Sequence, residues 1–451
     1  SVVAPWEASS VATVTMLTEP TLEVPDDLRE RTLAVLAGTD AGSKLLAAPD
    51  PAQIADALAD TGADALVYLL PAREDLSAHA ILMPVADAAG GSEPESVALP
   101  LLHTSLDGPL TGYAAAQRAL LAISAQAGAQ AGPAKQRWQD ALELLCESAW
   151  PAVIGPLIEQ VSRWRLNRPV RLVLVPVGEL SQVPWHAAFC APEPASSRRY
   201  ACAEMVISYA VSGRQLIEVS RRPALALQDD PVVYSDRSLP FALLEAMAIH
   251  DCCYPAGRYL GYAPPEAGKA ERGSPGQVLA ELPAADHAGA SMLHFGCHAD
   301  VAGSAPGRSH LILARGEHLR VEEILRQAGG RSAFAPGGLV TLAACRSDLT
   351  AQDYDEALTL STAFLAAGAV TVVGARWEVP DEDSPLLMFM FHHFMTAGGY
   401  SPRDALRLAQ LWMLDEGRKP PPDMPEALAK DAGYPGLAEL ATWAAFTHQG
   451  R

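Results

Sequence analysis

The chain has 451 residues, with 49% hydrophobic content, mean hydropathy near zero, a formal charge of -20 and a pI of about 5.0. That length and composition build large folded cores and exclude a disordered tail protein. The excess acid excludes a nucleic-acid-binding surface, which needs clustered Lys and Arg against phosphates. Seven cysteines follow no repeating spacing and form no CxxC pair, which fits a reducing, cytoplasmic setting. We read no apolar stretch of the length that spans a bilayer and no basic segment leading into an apolar one at the amino terminus, and so expect no membrane partner. The chain opens on Ser1 rather than Met, which points to a trimmed or processed start.

Residues 1–50 read as a leader or the stub of an upstream region, with one helix from Asp26 to Gly38. Next come three short apolar runs, Ala65–Leu70, Ala80–Val85 and Ser96–Leu102, separated by Asp-, Gly- and Ser-rich turns. They predict a small sheet. Helical spacing follows over 113–127 and 133–165, where Trp138, Leu142, Leu145, Trp150 and Ile154 recur at three to five residues; Pro151 and Pro156 should break or kink the second helix. Residues 51–165 are therefore set apart as a smaller α/β region.

From Pro169 apolar strands alternate with helices, as in a mostly parallel sheet covered on both faces. Strands are predicted at 170–175, 204–209, 232–234, 290–295, 310–313, 339–343 and 369–374. Helices are predicted at 241–250, 277–282, 321–327, 356–367, 384–396 and 402–416, and polar loops at 186–200, 258–275, 300–309 and 346–355. No internal repeat of 20 to 50 residues is visible. The fold class is α/β, with the larger domain at 166–451.

Two runs carry chemistry: Ser291-Met-Leu-His-Phe-Gly-Cys-His298 and Leu339-Val-Thr-Leu-Ala-Ala-Cys345. Each is a strand-like stretch that stops at a reactive side chain, and ligands bind at the carboxyl ends of parallel strands. His298 and Cys345 are thus a candidate base and nucleophile, since a nearby imidazole favours the reactive thiolate. The backbone amides of Ala299 and Cys345 are candidate oxyanion donors. His294 and Cys297 complete a His-x-x-Cys-His run, but zinc sites need four ligands at recognisable spacing and no second pair is nearby. We assign no metal and no cofactor.

The ordered segments Leu172–Leu180 with Val183-Pro-Trp185, Ile207–Ser212, His294–His298, Leu342–Cys345 and Ala363–Ala369 through Trp377-Glu-Val-Pro-Asp381 resemble the CHAT family of caspase-like and separase-like cysteine peptidases. The resemblance covers roughly 60–450. It implies a three-layer α/β/α caspase-like sandwich, in which 51–165 is a degenerate caspase-like half, and it places the catalytic pair on His298 and Cys345. The family's His-Gly is here His298-Ala299, and its Cys-Glu-Thr-Gly is here Cys345-Arg-Ser-Asp348. Many members carry tetratricopeptide repeats upstream, and none is visible here.

The resemblance further implies a protein or peptide substrate, regulation by an activating protein partner, and a place in a bacterial defence or programmed-death circuit. Asp355 and Asp381 fall on acidic positions common in the family and are the candidates for a basic-residue pocket, with Trp377 as its wall. The competing readings are a catalytically silent scaffold or sensor of the same fold, and a non-peptidase acyl hydrolase.

Overall fold

The computed structural model describes residues 48–72, 76–85, 91, 93–103, 108–124, 131–191, 198–236, 238–263, 271–300, 309–328, 334–343, 359–379, 382 and 384–451. Pro49–Arg451 forms one compact unit, built on a single sheet of eleven strands. In chain order the strands are β1 (Ala65–Leu70), β2 (His79–Pro84), β3 (Glu95–Ala98), β4 (Val170–Pro176), β5 (Phe189–Cys190), β6 (Arg199–Tyr200), β7 (Met205–Tyr209), β8 (Pro231–Ser235) and β9 (Arg258–Gly261). They continue with β10 (Met292–Gly296), β11 (His298–Asp300), β12 (His310–Ile312), β13 (His318–Arg320), β14 (Leu339–Leu342), β15 (Thr371–Ala375) and β16 (Phe446–Gly450).

The main sheet runs β3-β2-β1-β4-β7-β16-β15-β14-β10-β8-β9. Neighbours from β1 to β16 are parallel, as are those from β15 to β9, and the two sets meet antiparallel at β16–β15. The sheet therefore has two oppositely directed parallel sets, β1-β4-β7-β16 and β15-β14-β10-β8-β9, and β2 and β3 extend the first set antiparallel. The carboxyl ends of β8, β10, β14 and β15 all open on one edge.

The three runs expected to form a separate small sheet instead extend the large one, because β1 pairs with β4 over five residues. Asp64, just before β1, fixes that junction: its carboxylate accepts two hydrogen bonds from Arg168, both at 2.7 Å, and a third from the Arg171 amide. Nor does the sheet divide at residue 165. Its directional seam lies between β15 and β16, so the last strand of the chain completes the half that begins at β1.

Helices cover both faces, each held by apolar side chains that leave water. On one face lie α1 (Pro51–Thr61), capped by Asp50 with Pro51 in its first turn, and, further along, α3 (Gly213–Ser220); Ile54, Leu58 and Leu216 pack there with Leu66 and Val173. On the other face α4 (Pro240–Cys253) packs against α7 (Ser384–Thr396) and α7 against α8 (Pro402–Leu414), with α2 (Gly132–Ala149) in the same core. In the second half α5 (Val321–Ala328) and α6 (Leu360–Ala366) lie opposite them, with Ile324 and Phe364 against Phe295, Val340 and Leu342. This is a three-layer α/β/α sandwich.

The two prolines act as expected from their missing N–H. The helix that starts at Gly132 passes through a π-helical turn at Trp150–Ile154, with Pro151 in its first turn, and resumes at Gly155–Val161, with Pro156 likewise placed. The helical run Gly132–Trp164 reaches the length and apolarity of a bilayer span, contrary to the sequence reading. Its Trp138, Leu142, Leu145, Val153, Ile154 and Leu157 are buried in the protein's own core.

Candidate active site

β10 and β14 are adjacent and parallel, with Met292 opposite Leu339, His294 opposite Thr341 and Phe295 opposite Leu342. Both are short and buried along their whole length, which explains their continuous apolar reading. Phe295 precedes His298 by three residues and Leu342 precedes Cys345 by three. The histidine and cysteine segments thus leave the same sheet edge from neighbouring strands in matched register. Cys345 itself lies outside the described residues, as do Asp355 and Asp381.

His298 opens β11, the first strand of a three-stranded antiparallel sheet, β11-β12-β13. His298, Ile312 and His318 form one cross-strand row, and Asp300, His310 and Arg320 the next. Residues directly opposite share a face, and this face is open: His298, Asp300, His318 and Arg320 are exposed. The inner face carries Ala299, Leu311 and Leu319, all buried. His310 and His318 stack with ring centroids 4.0 Å apart. Desolvation, followed by His310 and Arg320, pulls the His318 pKa below its usual value.

Ala299 has no left-handed backbone, so the position does not require the conformational freedom of the family's glycine. Its methyl points into the core between β11 and the helical layer.

Trp377 is packed in the interior. It is 3% exposed, its ring meets Trp138 edge-on at 5.7 Å, and its indole N–H donates to the Ala441 carbonyl at 2.8 Å. The reason is tertiary: the segment after β15 turns back onto α2, and a large aromatic fills the gap.

The His-x-x-Cys-His run splits across three environments. His294 faces α4 and α7, Cys297 is buried in the opposite layer, and His298 is exposed on β11. Among the described residues no three His, Cys, Asp or Glu side chains converge as metal ligands.

Burial separates Cys146, Cys202 and Cys253 from nucleophile chemistry. Desolvation drives the Cys146 thiol far up and pushes Cys202 and Cys253 up to about 12, and a thiol so shifted holds no thiolate at neutral pH.

One acidic residue escaped the sequence reading. Asp236 directly follows β8, is half-buried, and donates its backbone N–H to the Gly296 carbonyl at 3.2 Å, two residues from His298. Its Oδ1 accepts from the Ser238 amide at 2.9 Å. The available signal was an acid immediately after a buried strand, on the same edge as the histidine.

Comparison with known proteins adds a family and a fold. The family model of the CHAT domain matches residues 143–451, more than half of the chain. No curated protein matches. Among solved structures, the Saccharomyces cerevisiae separase–securin complex aligns at TM-score 0.53 with 10% identity, covering 94% of this chain and 32% of that one. A second structure of that complex aligns at 0.50 with 11% identity, over 88% and 31%. The Arg-specific cysteine proteinase gingipain R aligns at 0.40 with 9% identity, over 66% and 68%. The chain spans about a third of the separase chain it matches.

Proposed function

The chain belongs to the CHAT family, and on that premise we propose that it is a cysteine endopeptidase acting through Cys345 and His298. The observation that carries this reading is the paired register of β10 and β14, from which the two residues follow at equal spacing.

In the proposed cycle His298 takes the Cys345 thiol proton, and the thiolate sulfur attacks the scissile carbonyl carbon. The tetrahedral oxyanion collapses, the C–N bond breaks, and the imidazolium returns its proton to the leaving amine. Water then attacks the thioester with His298 as base, the C–S bond breaks, and the acid product leaves as the thiol is restored. Backbone amides at the strand ends supply the oxyanion donors.

The substrate is a protein segment, with Asp355 and Asp381 proposed to select a basic side chain. The separase match is a complex with securin, and we extend its logic: a protein partner governs access to the cleft here, in a cytoplasmic defence or death circuit.

The test is labelling with a panel of peptidyl acyloxymethyl ketones, beside Cys345→Ala and a peptide-library digest under reducing conditions. Cys345-dependent labelling with library cleavage supports the peptidase. Labelling by ester-type probes alone indicates an acyl hydrolase, and no Cys345 labelling indicates a silent scaffold.

A further inference from the structure

Beneath the strand that leads to His298 runs a line of five polar side chains sealed from water. Glu245 of α4, His294 of β10, His392 of α7 and Tyr254 at the end of α4 are each 0% exposed. The Ser384 hydroxyl donates to Glu245 Oε2 at 3.2 Å, and Glu245 Oε1 lies 2.9 Å from His294 Nε2. His294 Nδ1 lies 3.3 Å from His392 Nε2, and His392 Nδ1 lies 3.0 Å from the Tyr254 hydroxyl.

The protons along this line can be assigned. Burial raises the Tyr254 pKa well above its usual value, so the phenol keeps its proton and donates to His392 Nδ1. Burial, with His294 beside it, holds the His392 pKa well below the usual value. The neutral ring then carries its proton on Nε2 and donates to His294 Nδ1, while His294 Nε2 and Glu245 Oε1 stand 2.9 Å apart without the alignment of a hydrogen bond. Each imidazole is thereby confined to one tautomer. The two nitrogens of His294 point to different partners, so this is a relay and not a chelate.

Such a line is costly to bury, and apolar side chains of equal volume often stabilise at least as well. What it adds is directional contact between elements. Glu245 joins three of them: α4 through its own backbone, β10 through its close approach to His294, and the first residue of α7 through the Ser384 hydrogen bond. β10 reaches His298 four residues later, while α7 follows the segment that holds Trp377 and Asp381. The strand also touches α4 directly, since a Cβ at Gly296 would stand 3.2 Å from the Ala242 carbonyl oxygen.

We propose that Glu245, His294 and His392 are positioning residues, which clamp β10 between α4 and α7 so that His298 meets Cys345 in one setting. This inference rests on the dyad reading above.

The test is the rate of Cys345 alkylation by iodoacetamide between pH 5.5 and 9, read by peptide mass mapping, in wild type, His298→Ala, Glu245→Gln and Tyr254→Phe. Expected are a tenfold or greater slowing at pH 7 in His298→Ala, with its pH midpoint moved upward. Glu245→Gln and Tyr254→Phe should slow three- to tenfold, with the midpoint moved the same way while the circular dichroism spectrum stays that of wild type. Wild-type rates and midpoints in both relay variants overturn the positioning role and leave the dyad standing. A wild-type rate in His298→Ala overturns the dyad and the relay's role with it. Should Glu245→Gln fail to fold, Tyr254→Phe, which removes a single hydroxyl, decides the matter.

Discussion

Phe295 and Leu342 are register partners on adjacent parallel strands, and each stands three residues before a residue able to do acyl-transfer chemistry. The pairing converts a sequence spacing of 47 residues into proximity at one sheet edge. If the segments beyond these partners form a base and nucleophile, His298→Ala and Cys345→Ala should each lower turnover of a cleaved peptide by at least about a hundredfold, the usual worth of general acid–base assistance. His298→Ala alone should leave Cys345 reactive toward alkylators at high pH. Comparable turnover in wild type and His298→Ala, measured on one peptide, would refute the pairing.

The start of β14 is set by two glycines whose lack of a side chain is geometrically required. A Cβ on Gly338 would stand 2.2 Å from the Ala290 carbonyl oxygen, and one on Gly337 would stand 2.0 Å from that of Gly368. Gly338→Ala must therefore displace β14 from β10, at a cost of about 2 to 3 kcal/mol by analogy with overpacked cores. Gly276, in a short helix with open space around it, should accept alanine with no loss. Urea midpoints of the two variants make the comparison, and equal midpoints would contradict it.

The strands that the sequence revealed are those buried on both faces, where runs such as Leu339-Val-Thr-Leu342 hold a single polar residue among apolar ones. β16 stayed hidden because Phe446-Thr-His-Gln-Gly450 is polar, although it is buried. Its His448 is bonded to Ser208 and Thr447 to the Gly374 carbonyl, so hydropathy gives no sign of it. β9, inside a segment read as loop, is an edge strand whose Arg258 is held by Asp230 and Glu281. His298 drew notice because it follows a buried strand, although it opens β11 rather than ending β10. The burial of Trp377 was not, because it depends on Trp138 from a helix more than 200 residues away.

Trp377 gives a prediction that separates packing from recognition. Trp377→Ala should cost about 3 to 5 kcal/mol as a large aromatic truncation in the core. Trp377→Phe should cost less, leaving the Ala441 carbonyl without its indole donor. Since the ring faces Trp138, the cleavage-site preference of Trp377→Phe should match that of wild type. A changed preference at the residue before the cut, in a peptide-library digest, would return the residue to the cleft.

Three buried histidines set the acid behaviour of the fold. His186 and His448 are fully enclosed, with pKa values lowered to about 3, chiefly by desolvation and then by Arg376 and Arg403 respectively, and His392 is lowered well below its usual value. The unfolded chain binds protons on these rings near pH 6.5 and the folded chain does not. Stability is therefore greatest above pH 6.5 and falls as pH drops toward 3, by up to about 1.4 kcal/mol per pH unit for each ring. At pH 5 His186 and His448 should each have removed about 2 kcal/mol. His448→Gln has no ring to protonate, so its free energy of unfolding should fall less steeply between pH 6.5 and 4, by up to about 1.4 kcal/mol per unit. Chemical denaturation at half-unit steps of pH measures both slopes, and identical slopes would mean that His448 already carries its proton in the folded protein.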